Sequence, residues 1–185
     1  MPPAPFTALP AHFVYEMVGL AMRLLIIRHA AAVPSGTPGI PDDDRPLTPK
    51  GEAKFRVAAN GLARIADRPD VLLTSPLPRA RATADIAARA FKRLEPRVEP
   101  ALAHGGVEAI LAALGHQPRE ATVAIVGHEP VLGALLARLL GAPEGEQFPF
   151  KKGGAALVDL PEGPSGAARL MWFLKPKILR ALARD

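Results

Sequence analysis

Five unbroken apolar runs, each closed by turn residues, constrain this chain more than any other feature. They fall at 23–27, 71–74, 122–127, 154–160 and 169–174. A strand with one solvated face alternates apolar and polar residues, whereas a strand covered on both faces reads as a continuous run of Val, Ile and Leu. Helical stretches lie between the runs. Residues 49–66 begin with Thr48 as N-cap and Pro49 at the first helical position. Residues 78–91 follow a Ser-Pro start, and 106–114, 129–140 and 176–183 are rich in Ala or Leu. Alternating strand and helix predict an α/β fold, a three-layer α/β/α sandwich with a mostly parallel central sheet.

The chain has 185 residues, 49% of them apolar, which suffices to bury one sizeable core. Twenty-one prolines and sixteen glycines punctuate its loops. The absence of cysteine excludes disulfides, thiolate metal sites and cysteine nucleophiles. A net charge of +5 favours anionic partners. The basic residues are dispersed and rarely interleaved with aromatics, so they read as a solvated surface rather than a nucleic-acid interface. A phosphate-bearing substrate would profit from the same field.

No run approaches the roughly 20 apolar residues that cross a bilayer, so no membrane span is expected. The first 21 residues lack the positive start of a secretory signal, and Met22 directly precedes the first strand. Residues 1–21 are therefore expected to be an extension outside the fold, with residues 22–185 as the domain. Without an export signal the expected location is cytoplasmic. Nothing in the pattern specifies an oligomeric state.

In doubly wound folds, ligands bind where strands end at their carboxyl edge. Three strand exits here carry unusual residues. "RLLIIRHAAAV" (23–33) ends in Arg28 and His29; "TSPLPRARAT" (74–83) puts Arg79 in the first turn of a helix; "TVAIVGHEP" (122–130) ends at Gly127 and His128. Each residue alone has an ordinary explanation: a strand-end cation, a hydrogen-bonded histidine, a solvated helix face. Three independent exits converging on two histidines and two arginines do not. The three aspartates of the loop "PSGTPGIPDDDRP" (34–46) read as a solvated turn, with no partner at metal-ligand spacing.

That set suits phosphoryl transfer through a covalent histidine intermediate. A neutral imidazole is a nucleophile, and neighbouring arginines keep it neutral by like-charge repulsion. The guanidinium fork matches phosphoryl oxygens, and a second histidine can donate to them. Fixed cations make a metal or other cofactor unnecessary.

The sequence resembles the histidine phosphatase superfamily, whose signature is Arg-His-Gly at the end of the first strand. The resemblance rests on Arg28-His29, "RPLTPKG" (45–51), "TSPLPRARATADI" (74–86) and "VGHEP" (126–130), in order along residues 22–174. It implies His29 as the phosphorylated nucleophile, with Arg28, Arg79 and His128 binding the phosphoryl group. Arg45 falls where some members place another arginine for substrate.

Two departures bear on function. Ala30 replaces the usual glycine, so any turn there must be ordinary rather than left-handed. Phosphoglycerate mutase-like members also carry a glutamate acid, usually beside a long helical insertion. The corresponding stretch here, 99–120, is short and offers Glu108 and His104 as candidates. Glu108 reads equally as a first-turn residue favoured by the helix dipole.

Expelling an alkoxide requires a proton donor, whereas imidazole leaves a phosphoramidate readily. A nucleophile and clamp without an evident acid therefore suit phosphohistidine, and a short chain leaves the pocket open to a protein side chain. The pattern, including "WFLKPKIL" (172–179), resembles the small SixA-type phosphohistidine phosphatases. The expected substrate is phosphohistidine in a protein. The alternatives are small phosphate esters or other phosphorylated metabolites, with Glu108 or His104 as acid, or a phosphate-binding module without turnover.

Overall fold

The computed structural model describes residues 21–92, 94–143 and 148–184. Most of the segment expected to be an extension, residues 1–20, lies outside those described. The elements run β1 (Met22–Arg28), α1 (Pro49–Ile65), β2 (Val71–Thr74), α2 (Pro78–Ala90), β3 (Arg97–Val98), α3 (Ala101–His104) and α4 (Gly106–Gly115). They continue with β4 (Thr122–Gly127), α5 (Val131–Leu139), β5 (Ala155–Leu160), β6 (Arg169–Leu174) and α6 (Pro176–Leu182).

The six strands form one sheet in the order β3-β2-β4-β1-β5-β6. Pairings β2–β3, β2–β4 and β1–β4 are parallel, while β5 runs antiparallel to both its neighbours. Five strands thus share one direction, and the sheet is mostly parallel as expected. β1 explains the layering. Its Leu25 and Ile27 face one core with Phe55 and Ala58 of α1, Ala84 and Ala87 of α2, and Leu179 of α6. Its Leu24 and Ile26 face the other, with Leu102 of α3, Ile110 and Leu114 of α4, and Leu135 and Leu136 of α5. Both faces are covered, which is why the run carries no polar alternation.

The run at 169–174 departs from that reading. β6 is the sheet edge, bonded only to β5, with a register shift at Leu157/Val158. Leu170, Met171 and Phe173 are exposed. An unbroken apolar run identifies a strand, but here not one covered on both faces. The two-residue β3 and the single turn of α3 carry too little periodicity to be read in advance.

Helix starts follow the local chemistry. The Thr48 hydroxyl accepts the Gly51 N–H at 3.0 Å, and Pro49 occupies the first turn. α1 and α6 then pack so closely that a Cβ on Gly61 would lie 1.8 Å from the Leu179 carbonyl oxygen. Gly61→Ala gains about 1 kcal/mol of helix propensity. Overpacking typically costs roughly 1–3 kcal/mol, and more where the obstacle is backbone. A net destabilisation of roughly 2 kcal/mol is expected in urea unfolding. An unchanged midpoint would contradict this packing.

Candidate active site

The parallel register sets the site. Arg28 of β1 lies opposite Gly127 of β4, and Thr74 of β2 opposite Val126. Three neighbouring strands therefore end at the same level, and the residues that follow them leave the sheet side by side. The His29 N–H donates to the Gly127 carbonyl and the Ser75 N–H to the Val126 carbonyl. His29 and His128 consequently face each other, with ring centroids 4.9 Å apart. The turn before β5 closes the arrangement: the Gly153 N–H donates to the carbonyls of Arg28 and His29. Gly153 has φ +76°, a conformation that favours glycine.

His29 is 4% exposed. Its Nδ1 lies 2.7 Å from the Ala30 carbonyl oxygen, which can only accept. The ring proton therefore sits on Nδ1 and the lone pair on Nε2. Ala30 is buried, and its N–H donates to the Thr83 hydroxyl at 3.0 Å. Among the described non-glycine residues only Lys92 has a positive φ, so the turn at Ala30 needs no glycine.

His128 is 7% exposed, and its Nε2 lies 2.8 Å from the Ser75 hydroxyl. Ser75 is fully buried and already accepts the Leu77 N–H. Its own proton needs an acceptor, and His128 Nε2 is the acceptor within reach. That places the His128 proton on Nδ1, an atom buried without a partner in the structure.

The arginines show the same pattern. Arg28 Nη1 donates to the Phe150 carbonyl, and Phe150 donates its N–H to Glu129 Oε1 at 2.8 Å. Arg79, 6% exposed, sends Nη1 to the Asp42 carbonyl at 2.8 Å, with Nη2 3.7 Å from the Asp42 carboxylate. The Nε atoms of both arginines are buried and unpartnered. Among the described residues, three of the four buried side-chain polar atoms lacking a hydrogen-bond partner are thus Arg28 Nε, Arg79 Nε and His128 Nδ1. Buried orphan donors are rare because each costs about 1–3 kcal/mol. Three of the four belong to residues gathered at the strand exits.

The remaining candidates lie further out. Arg45 is nearly buried, but its Nε and Nη2 hold the Asp42 carboxylate and its Nη1 the Val33 carbonyl. It joins Arg79 to the loop through Asp42 rather than presenting a free fork. His104, its side chain 72% exposed, lies 3.6 Å from Asp43 and is close enough to His128 to disfavour its protonation. Glu108, its side chain 82% exposed, lies 3.9 Å from Arg138 on α5.

The family model for the histidine phosphatase superfamily (branch 1) matches residues 24–104. The protein histidine phosphatase SixA, solved with tungstate, superposes with a TM-score of 0.74 at 29% identity, covering 85% of this chain and 99% of that one. The chain is thus similar to the histidine phosphatase superfamily, in sequence over residues 24–104 and in fold over most of its length. A SixA structure from Nakamurella multipartitia gives a TM-score of 0.70 at 28% identity, covering 84% of this chain and 96% of its own. An uncharacterised protein of Picosynechococcus sp. is 40% identical over 92 residues, 49% of this chain. That match spans 55% of the relative's length.

Several supporting residues escaped the sequence reading. Thr83 is buried, and its hydroxyl donates to the Arg79 carbonyl at 2.7 Å while accepting from Ala30, so α2 is tied to the His29 turn. Ser75 and Thr83 stand inside the segment that carries Arg79, but their partners Ala30 and His128 follow β1 and β4, which spacing alone does not disclose. Asp42 is more than a solvated turn residue. The Arg45 hydrogen bond, helped by Ser35, holds its carboxyl at about 2. Glu129 has its pKa raised by burial, and its carboxylate is engaged by the Phe150 N–H.

Burial, and then the charges of Arg79, Arg28 and Lys152, push the His29 pKa down to about 4 against the Ala30 hydrogen bond. Burial, and then His29, Arg79, His104 and Arg28, push His128 to about 3. Both rings are therefore neutral at pH 7, one with a free lone pair and one with a free donor. Since both pKa values are depressed below the unfolded value of 6.5, the associated stability is present above pH 6.5. It is lost as pH falls through the folded values. Imidazole NMR titration is expected to give both midpoints below 5. Midpoints near 6.5 would contradict the burial and the arginine placement. No helix among the described residues is long and apolar enough to cross a membrane.

Proposed function

We propose that this chain is a metal-independent phosphatase that removes the phosphoryl group from phosphohistidine in a protein. The observation that carries the reading is the meeting of His29 and His128 at the strand exits, ring centroids 4.9 Å apart, with the His29 lone pair held on Nε2 and Arg79 and Arg28 close enough to lower its pKa. Tungstate in the SixA structure, a tetrahedral oxyanion, supports a site of this kind.

His29 Nε2 attacks phosphorus, and the P–N bond to the substrate imidazole breaks. The electron pair stays on the departing ring nitrogen, and the substrate ring, carrying a proton on its other nitrogen, leaves as neutral imidazole. Arg28, Arg79 and His128 donate to the oxygens, where charge is spread in the transition state. His29 retains its Nδ1–H to Ala30 throughout, which supports the cationic phosphorylated ring. Water then attacks the phosphoryl group, releases inorganic phosphate and returns His29 to its starting tautomer.

The substrate follows from the leaving group. Neither acid candidate is positioned as a buried donor: Glu108 is exposed beside Arg138, and His104 is exposed beside Asp43. Phosphohistidine needs no such donor, whereas an alkyl phosphate does. Arg45 contributes by fixing Asp42 and, through it, Arg79.

The test is a substrate panel. A phosphohistidine peptide is expected to be turned over with kcat/KM at least roughly 10²-fold above glycerol 3-phosphate, the size of a typical general-acid contribution. Equal turnover of the two would favour a metabolite phosphatase, with His104 at the site rim as the acid to examine. An aryl phosphate alone does not discriminate, because its leaving group also needs little protonation.

A further inference from the structure

A cleft lined in part by Ala30 and Ala31 adjoins the His29 turn. Its floor is apolar, formed by Phe55, Ala58 and Pro176. Its rim carries Lys54, Lys152 and Arg180, and none of its lining residues is acidic. The three cations come from three places in the chain: α1, the turn before β5, and α6. Among the described residues, none of them has a carboxylate partner. Three unneutralised cations around one opening repel each other, and an incoming anion relieves that repulsion. The cleft also communicates with the reaction centre, since Lys152 is close enough to lower the His29 pKa.

We propose that this cleft receives an acidic side chain flanking the phosphorylated residue of a protein substrate. The proposal rests on the phosphohistidine reading above and deepens it. A glutamate matches both features of the cleft: its methylene stem covers Phe55 and Pro176 while its carboxylate meets the cationic rim. A small hydrated anion would gain the charge contacts but nothing from the floor. The cleft thus selects substrates by the sequence around the phosphorylated residue, through binding rather than chemistry. Its contribution weakens with ionic strength because Lys54 and Lys152 are exposed.

The test uses the whole chain with two phosphohistidine peptides, flanked by glutamates or by alanines, and two small esters, 3-phosphoglycerate and glycerol 3-phosphate. In a Lys54→Ala/Arg180→Ala protein, kcat/KM for the glutamate peptide is expected to fall about tenfold, carried by KM. The alanine peptide should change less than about twofold. Charge reversal at Lys54→Glu should shift preference toward a lysine-flanked peptide, which damage to the fold does not produce. Equal losses on both peptides, no loss, or a loss confined to 3-phosphoglycerate would overturn the proposal. Fluorescence anisotropy with peptides carrying a non-hydrolysable phosphohistidine mimic separates this from the parent reading. If wild type turns over neither peptide, the phosphohistidine reading fails, and the anisotropy still decides the cleft. Tighter binding of the glutamate peptide that Lys54→Ala/Arg180→Ala removes supports it; equal binding overturns it.

Discussion

His29→Ala is expected to lower kcat on a phosphohistidine peptide by at least roughly 10³-fold, since removing a nucleophile leaves only the residual catalysis of the binding groups. The fold should survive. His29 lies at the mouth of the sheet, and the β1–β4 ladder ends at Arg28 and Gly127 before it. Its ring makes one recorded hydrogen bond, to Ala30. Removal of a depressed-pKa group also removes its penalty in acid, so the variant should lose less stability than wild type between pH 6.5 and 4. Activity assays paired with thermal unfolding at pH 7 and pH 5 check both parts. A His29→Ala protein with substantial activity would end the account of His29 as nucleophile.

Arg79→Ala carries the second largest expected effect, a loss of roughly 10²–10³-fold in kcat/KM from removing a preorganised donor to the developing charge. Arg79→Lys should recover little of it. Lysine restores a charge but not the planar fork, in which Nη1 reaches the Asp42 carbonyl while Nη2 lies beside the Asp42 carboxylate. Arg79 also anchors the 34–46 loop, so loss of loop position must be separated from loss of the donor. Asp42→Asn does this: the carbonyl that receives Arg79 remains, while the carboxylate pairing to Arg45 is weakened. That variant should lose less than about tenfold. If Asp42→Asn were as damaging as Arg79→Ala, Arg79 would be acting chiefly through the loop.

The sequence disclosed the parts of this molecule that depend on local chemistry. Thr48, Pro49 and the Ala-rich periodicity mark α1, and the observed helix ends one residue short of the expected boundary at 66. Buried β1 and β4 announce themselves because both faces are covered, leaving no polar residue between Arg23 and Arg28 in one and between Thr122 and the Gly127-His128 exit in the other. Long-range pairing was not legible in the same way. Nothing in "TVAIVG" states that it lies between β1 and β2 with Gly127 opposite Arg28, yet that register is what brings His128 against His29. The antiparallel course of β5 and the exposure of β6 are likewise properties of sheet order, not of composition.

Within the candidate site, charged residues were easier to find than those that hold them. Arg28, His29, Arg79 and His128 stand out because cations at strand exits are unusual. Ser75 and Thr83 look like common residues in a helix-start motif until their hydrogen bonds to His128 and Ala30 are seen. Asp42 sits among three aspartates in a loop of Pro and Gly, and only the fold singles it out by bringing Arg45 and Arg79 to it. Ala30 illustrates the reverse. It breaks the expected motif, but the backbone there takes an ordinary φ, and the methyl group is buried against the core.

The covalent intermediate separates this account from every binding-only or direct-hydrolysis alternative. Rapid quenching of wild type with a phosphohistidine donor, followed by intact and peptide mass spectrometry under alkaline conditions, tests it directly. The account predicts one phosphoryl group per chain, located on His29, stable to base, lost in acid and absent from His29→Ala. Turnover that proceeds at full rate without a phosphorylated His29, or a phosphoryl group carried on His128 instead, would contradict it.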